Sequence, residues 1–137
     1  MVQPFHLAIP VTNLTDAEAF YGELLGCEKG RSDTQWIDWN FFGHQLVTHC
    51  VEAMPSPPSH NGVDDHAVPV PHFGVVLTMD DWQALASKLE AADTEFVIAP
   101  YIRFKGKPGE QATMFFKGFF SRSDYILIMK TLRITIY

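Results

Sequence analysis

Two stretches of this sequence, 66 positions apart, follow one pattern: His6 and Thr12 recur as His72 and Thr78. The first is Phe5-His6-Leu7-Ala8-Ile9-Pro10-Val11 and the second is His72-Phe73-Gly74-Val75-Val76-Leu77. Each reads as a strand and runs into a helical pattern. Internal repetition constrains a fold more than any single motif does. Each copy is one supersecondary unit that buries its apolar face only against other structure. The pattern predicts two β-α-β-β-β units in one α+β domain spanning residues 1–137, with modules at about 4–54 and 71–137. A chain of 137 residues buries roughly two-thirds of its unfolded surface and needs no disulfide to fold.

In the first half, Asn13-Leu14-Thr15-Asp16 signals a helix start, with Glu18 three residues after Thr15 as in a capping box. Ala17, Phe20, Tyr21, Leu24 and Leu25 recur at helical spacing, and Gly26 closes the helix. Residues 36–51 read as a β-hairpin around Gly43-His44, glycine first suiting a type II′ turn. That register sets Asn40 opposite Val47 and Asp38 opposite His49. It gathers Asp38, Asn40, Gln45 and His49 on one face, turned to solvent or to a wet cavity, and Trp39, Phe41 and Leu46 on the other. Residues 55–70, opening Pro55-Ser56-Pro57-Pro58, read as an irregular loop that joins the halves. In the second half Asp80-Asp81 starts a helix with Trp82, Leu85, Ala86 and Leu89 on its apolar side. Strands follow at 95–99, 101–105, 110–117 and 125–130.

Several function classes drop out on composition. Ten Lys+Arg stand against 16 Asp+Glu, a net charge of -6, and the one local basic excess is Arg103, Lys105 and Lys107. A nucleic-acid surface needs a basic face, so none is expected. No apolar run approaches the roughly 20 residues of a membrane helix, and the first residues have no charged leader pattern. Cys27 and Cys50, with no CxxC, read as free thiols of a reducing, cytoplasmic compartment. P-loop, nucleophile-elbow and dinucleotide fingerprints are missing. A small-molecule site is the expectation that remains, and two histidines at repeat-equivalent positions suit a divalent metal in one shared cavity. His44 falls in the hairpin turn and is expected in solvent. His60 and His66, beside Asp64 and Asp65, form a loop group too flexible for a firm metal site.

The residues carry a family resemblance. Phe5-His6-Leu7-Ala8-Ile9-Pro10-Val11-Thr12-Asn13-Leu14, then Ala19-Phe20-Tyr21 and Leu24-Leu25-Gly26-Cys27, resemble the first module of the vicinal oxygen chelate superfamily. That group holds glyoxalase I, bleomycin-resistance and fosfomycin-resistance proteins, and extradiol dioxygenases. Pro71-His72-Phe73-Gly74-Val75-Val76-Leu77 resembles its second-module opening, and 96–100 and 109–116 resemble later strands. The resemblance implies two paired βαβββ modules whose open mixed sheet curls into a half-barrel cavity. It also implies homodimers and a small-molecule substrate. In metal-dependent members a histidine from each first strand holds the ion, and acids or histidines on each module's last strand complete the site. Carried over, His6 and His72 are metal ligands and His49 is a third, with Asp38 orienting it across the hairpin. Asp38, Asn40 and Arg103 are the substrate-binding candidates, Arg103 for an anionic group. No catalytic residue is singled out.

The sequence departs from the family at its last strand, where a glutamate is usual. No glutamate occurs after Glu110, Asp124 is the only later acid, and Leu127 falls where the glutamate is expected. Two readings remain. One is a metal-dependent glyoxalase- or dioxygenase-like enzyme using Fe, Mn, Ni or Zn on a vicinal-oxygen substrate, with a histidine replacing the acid. The other is a metal-free small-molecule binding protein of the bleomycin-resistance type.

Overall fold

Each half forms the unit that the repeat predicts. A computed structural model describes residues 2–54, 59–63, 66–118 and 126–131. The first half runs β1 (His6–Val11), α1 (Leu14–Ala17, continuing as a π-helical stretch Glu18–Leu24), β2 (Glu28–Ser32), β3 (Trp36–Phe41) and β4 (His44–Cys50). After a short pair β5 (Ser59–Val63) and β6 (His66–Val70), the second half runs β7 (His72–Val76), α2 (Met79–Ala91), β8 (Phe96–Arg103), β9 (Gln111–Lys117) and β10 (Ile126–Lys130). The sheet orders are β1-β4-β3-β2 and β7-β10-β9-β8. In both, the first strand lies parallel to the last and every other pairing is antiparallel. The chain divides into two compact units, one built on residues up to 57 and the other on 58–117 and the last strand.

The first module buries one sheet face against its helix. Asn13 caps that helix, its Oδ1 accepting from the Asp16 amide at 3.1 Å. The expected Thr15–Glu18 box is displaced because the helix already begins at Leu14. The Leu25 amide donates to the Phe20 carbonyl at 2.9 Å, a five-residue step that widens the last turn. Gly26 follows with φ +71°, the left-handed closure that its position suggests. Ala17, Phe20, Tyr21 and Leu25 are buried, as are Ile9, Ile37, Trp39, Phe41 and Leu46 of the sheet. Strand alternation places those sheet residues on one face.

The second module repeats the arrangement with different side chains. Thr78 caps α2, accepting from the Asp81 amide at 3.2 Å. Trp82, Leu85, Ala86 and Leu89 are buried, as are Ala112, Met114, Phe116, Leu127 and Met129 on one face of the sheet. The Trp82 indole N–H donates to the Met129 carbonyl at 3.0 Å, so this buried polar atom is satisfied.

Three expectations need correction. The hairpin turn is Phe42-Gly43, both at positive φ (53° and 87°), a type I′ geometry rather than type II′ at Gly43-His44. The pairing moves by two residues, so Asn40 faces Gln45, Asp38 faces Val47 and Trp36 faces His49. A shift of two leaves every side chain on its expected face. His44 therefore begins β4 instead of sitting in the turn, and its Nδ1 accepts from the Phe5 amide at 2.9 Å. Second, the stretch read as an irregular loop contains the antiparallel pair β5–β6, with His60 facing Pro69. Third, 95–105 is one strand, Phe96–Arg103, with register shifts flanking Ile98. Lys105 lies beyond it.

Both cysteines are free thiols. Burial pushes the Cys27 thiol up to about 11, whereas Cys50 is half-buried and its Sγ donates to the Thr12 carbonyl at 3.7 Å. The thiolate is the reactive form, so iodoacetamide at about pH 8 is expected to label Cys50 well ahead of Cys27 in the folded chain. Equal labelling without denaturant would show that Cys27 is not held in the core.

Candidate functional site

The face of the first sheet turned away from α1 carries His6, Gln45, Asn40, Asp38 and His49 among Ala8, Val47 and Trp36. Cross-strand pairs set His6, Gln45 and Asn40 on one rung. The His6 ring donates from Nδ1 to Gln45 Oε1 at 2.8 Å, which leaves Nε2 as the ring nitrogen available to another partner. Asn40 Oδ1 accepts from the Gly43 amide at 2.8 Å, so that side chain also shapes the turn. Asp38 is half-buried beside Val47. His49 is exposed and pairs with Pro10, four residues along β1 from His6. At the strand rise that is roughly 13 Å. The β4 neighbour of His6 is Gln45, a residue that the sequence placed on the right face but not beside the histidine. The structure does not set Asp38 opposite His49; Trp36 takes that place.

The second sheet presents three successive rungs on the face away from α2. His72 pairs with Ile126 of β10, which pairs with Lys117 of β9. Next come Gly74, Ile128, Phe115 and Ile98, and then Val76, Lys130, Thr113 and Tyr101. Ile98 and Phe115 are buried, with Val68, Tyr101 and Ile128 packed on them. Strand β6 runs across these rungs. The His66 ring stands 5.2 Å from Tyr101, Val68 covers the apolar rung, and His72 Nδ1 donates to the Pro69 carbonyl at 2.6 Å. Phe115 meets the His72 ring edge-on at 5.0 Å. The Pro69 carbonyl and the Phe115 ring thus orient His72, and with Nδ1 donating, Nε2 is the other ring nitrogen left to meet a partner.

The ends of this face carry charge. Lys117 pairs with Glu95 at 2.9 Å. Arg103 pairs with Gln111 along the ladder, and its guanidinium lies 5.0 Å from the Phe104 ring centre. Glu110 accepts from the Gly106 amide at 2.6 Å and so closes the turn after β8.

Ligand atoms lie about 2 Å from the metal, and within one sheet a histidine and a carboxylate meet that condition most directly from neighbouring rung positions. The neighbour of His6 is an amide, Gln45, and the neighbour of His72 is a hydrocarbon, Ile126. Leu127, expected where the glutamate stands in the family, instead pairs with Phe73 and is buried with the α2 core. Among the described residues, no three His, Cys, Asp or Glu side chains gather closely enough to hold an ion. Asp124, Asp64 and Asp65 lie outside the described residues. The donor set does not fit a histidine–carboxylate metal centre.

The shared βαβββ topology of both halves, and a histidine opening the first strand of each, define a class, and comparison with known proteins agrees. The model of the Glyoxalase/Bleomycin resistance protein/Dioxygenase superfamily matches residues 3–107. The chain belongs to that superfamily. It is similar to the solved glyoxalase/bleomycin resistance protein/dioxygenase from Alicyclobacillus acidocaldarius, at 28% identity and TM-score 0.76 over 98% of this chain and 96% of that one. The fosfomycin resistance protein FosX from Listeria monocytogenes shares the fold at 11% identity and TM-score 0.68, covering 96% and 93% of the two chains. A glyoxalase/dioxygenase from Nostoc punctiforme does so at 11% identity and TM-score 0.68, covering 94% and 90%. No curated protein matches. No described helix is long and apolar enough to cross a membrane.

Proposed function

We propose that this chain is a small-molecule binding protein of the bleomycin-resistance type, working without a bound metal. One observation carries the reading. The strand residues beside the two first-strand histidines are Gln45 and Ile126, so the last strands supply no carboxylate to either imidazole. What the sheets offer instead suits ligand binding. On the second sheet half-buried Ile128 and Tyr101 lie against the buried Ile98–Phe115 cluster, with polar groups at the margin. His6 and His72 then act as hydrogen-bonding groups through Nε2, their Nδ1 atoms being taken by Gln45 and Pro69. Asp38, Asn40 and Arg103 are proposed as polar contacts to ligand, and a homodimer in the cytoplasm as the working form.

The competing reading is a metal-dependent enzyme, and one experiment separates them. The chain is purified without chelator, assayed for metals, and screened for thermal stabilisation against a panel of aromatic small molecules. The screen is repeated after EDTA treatment and with the His6→Ala/His72→Ala double variant. Binding is expected to survive EDTA, and to persist in the double variant with at most a few-fold loss. About one equivalent of Fe, Mn, Ni or Zn, removed by the double substitution together with binding, would establish the metal enzyme instead.

A further inference from the structure

The rung of Tyr101, Thr113 and Lys130 is unlike the rest of the second sheet. Its three polar heads, two hydroxyls and an ammonium, come from three adjacent strands of one ladder. Alternation puts all three on the face away from α2, with Phe115 and Ile128 on the next rung. The Cα atoms of the three span roughly 10 Å at normal strand spacing. Lys130 is half-buried, and Thr113 is 5% exposed. Among the described residues, none of the three polar heads has a side-chain hydrogen bond or ion pair. Lys117, two rungs away on the same face, has Glu95. The chain carries 16 Asp and Glu, yet this rung has none.

Lys130 is half-buried as a residue, and no described side chain balances its charge, so an anion that reaches it gains a charge-assisted contact. The neighbours define what that can be. The His66 ring stands against Tyr101 on one side. At the other end Val76 is 48% exposed, so the rung opens toward β7. The adjoining rung is hydrocarbon and aromatic. A ligand filling this surface has an apolar, flat body and one anionic end.

We propose that the Tyr101–Thr113–Lys130 rung is the anion-recognition end of the ligand site, and that the natural ligand is a small aromatic or apolar carboxylate or similar monoanion. The inference rests on the binding reading above and narrows it to a ligand class. Lys130 supplies the charge, and the two hydroxyls donate hydrogen bonds to the anion's oxygens. The apolar body lies along Ile128, the half-buried residue of the adjoining rung. The net charge of -6 repels anions from the surface at large, so the preference is local to this rung and is screened by salt.

The test is calorimetry on the full chain with 2-naphthoate and its neutral counterpart 2-naphthamide. The wild-type chain is expected to bind the acid about tenfold or more tightly than the amide, since a charge-assisted hydrogen bond is worth at least that factor. Raising salt is expected to erode the preference. Lys130→Gln abolishes it and Lys130→Arg keeps most of it. The acid-against-amide comparison uses the wild-type chain, so it stands whether or not a variant folds. Equal binding of acid and amide by the wild type overturns the anion site and leaves the binding reading intact. Binding of neither probe overturns both.

Discussion

Gly74→Ala is expected to destabilise the second module by about 3 kcal/mol or more, the upper end of overpacking costs. The reason is a close backbone approach. A Cβ at Gly74 lands on the carbonyl oxygen of Ile128, its partner across the parallel β7–β10 ladder, and the Ile128 carbonyl carbon lies only 2.6 Å away. Backbone, unlike a side chain, cannot rotate aside. The strands must separate, and the ladder is lost where His72 is positioned. A fall in melting temperature of roughly 10 °C is the corresponding expectation for a domain of this size. Gly62→Ala is the control, because its added Cβ meets nothing within 4 Å. Urea denaturation of both variants checks the point. A Gly74→Ala midpoint at the wild-type value would show that the strands do not approach as described.

Trp39→Ala in the first module should cost about 4 kcal/mol, as large-to-small changes at buried aromatics do. Trp39 is 2% exposed. Tyr21 lies 6.1 Å away between ring centres, and a Cβ built on Gly22 would stand 3.2 Å from the indole, so α1 rests directly on it. The indole N–H donates to Thr48 Oγ1 at 3.1 Å, and the Thr48 hydroxyl donates onward to the Ile37 carbonyl at 3.3 Å. Trp39→Phe keeps most of the ring volume and loses only the first of these bonds, so it should cost about 1–2 kcal/mol. Equal losses for Phe and Ala would mean that the hydrogen bond, not the packed ring, holds the module together.

The elements were legible because their signals are local. Alternation in residues 36–51 assigned Trp39, Phe41 and Leu46 to the buried face, and helical spacing picked out Trp82, Leu85, Ala86 and Leu89. Register is not local. The hairpin pairing was off by two residues, which is harmless to facing but separates Asp38 from His49 and sets Asn40 opposite Gln45. At the last strand the slip was one residue, and there it matters. Leu127 belongs to the core with α2, and the residue paired with His72 is Ile126. Because both are hydrocarbons, the missing carboxylate was readable regardless.

The pair β5–β6 was hidden by its prolines. A Pro-rich run argues against a central strand, yet a two-stranded ribbon leaves half its amides unpaired and tolerates Pro69 within it. Its contacts with the second sheet join residues that no sequence pattern links: His66 with Tyr101, Val68 with the Ile98–Phe115 cluster, and the Pro69 carbonyl with His72.

Periodicity and repetition in the sequence alone determined that this chain makes two βαβββ modules and which face of the 36–51 hairpin is buried. Those properties follow from the spacing of apolar residues along one segment. Which side chains meet across strands was decided only by the tertiary structure. The rung of Tyr101, Thr113 and Lys130 depends on register between segments far apart in the chain. Register is set by the packing of whole faces and by backbone approaches such as that at Gly74.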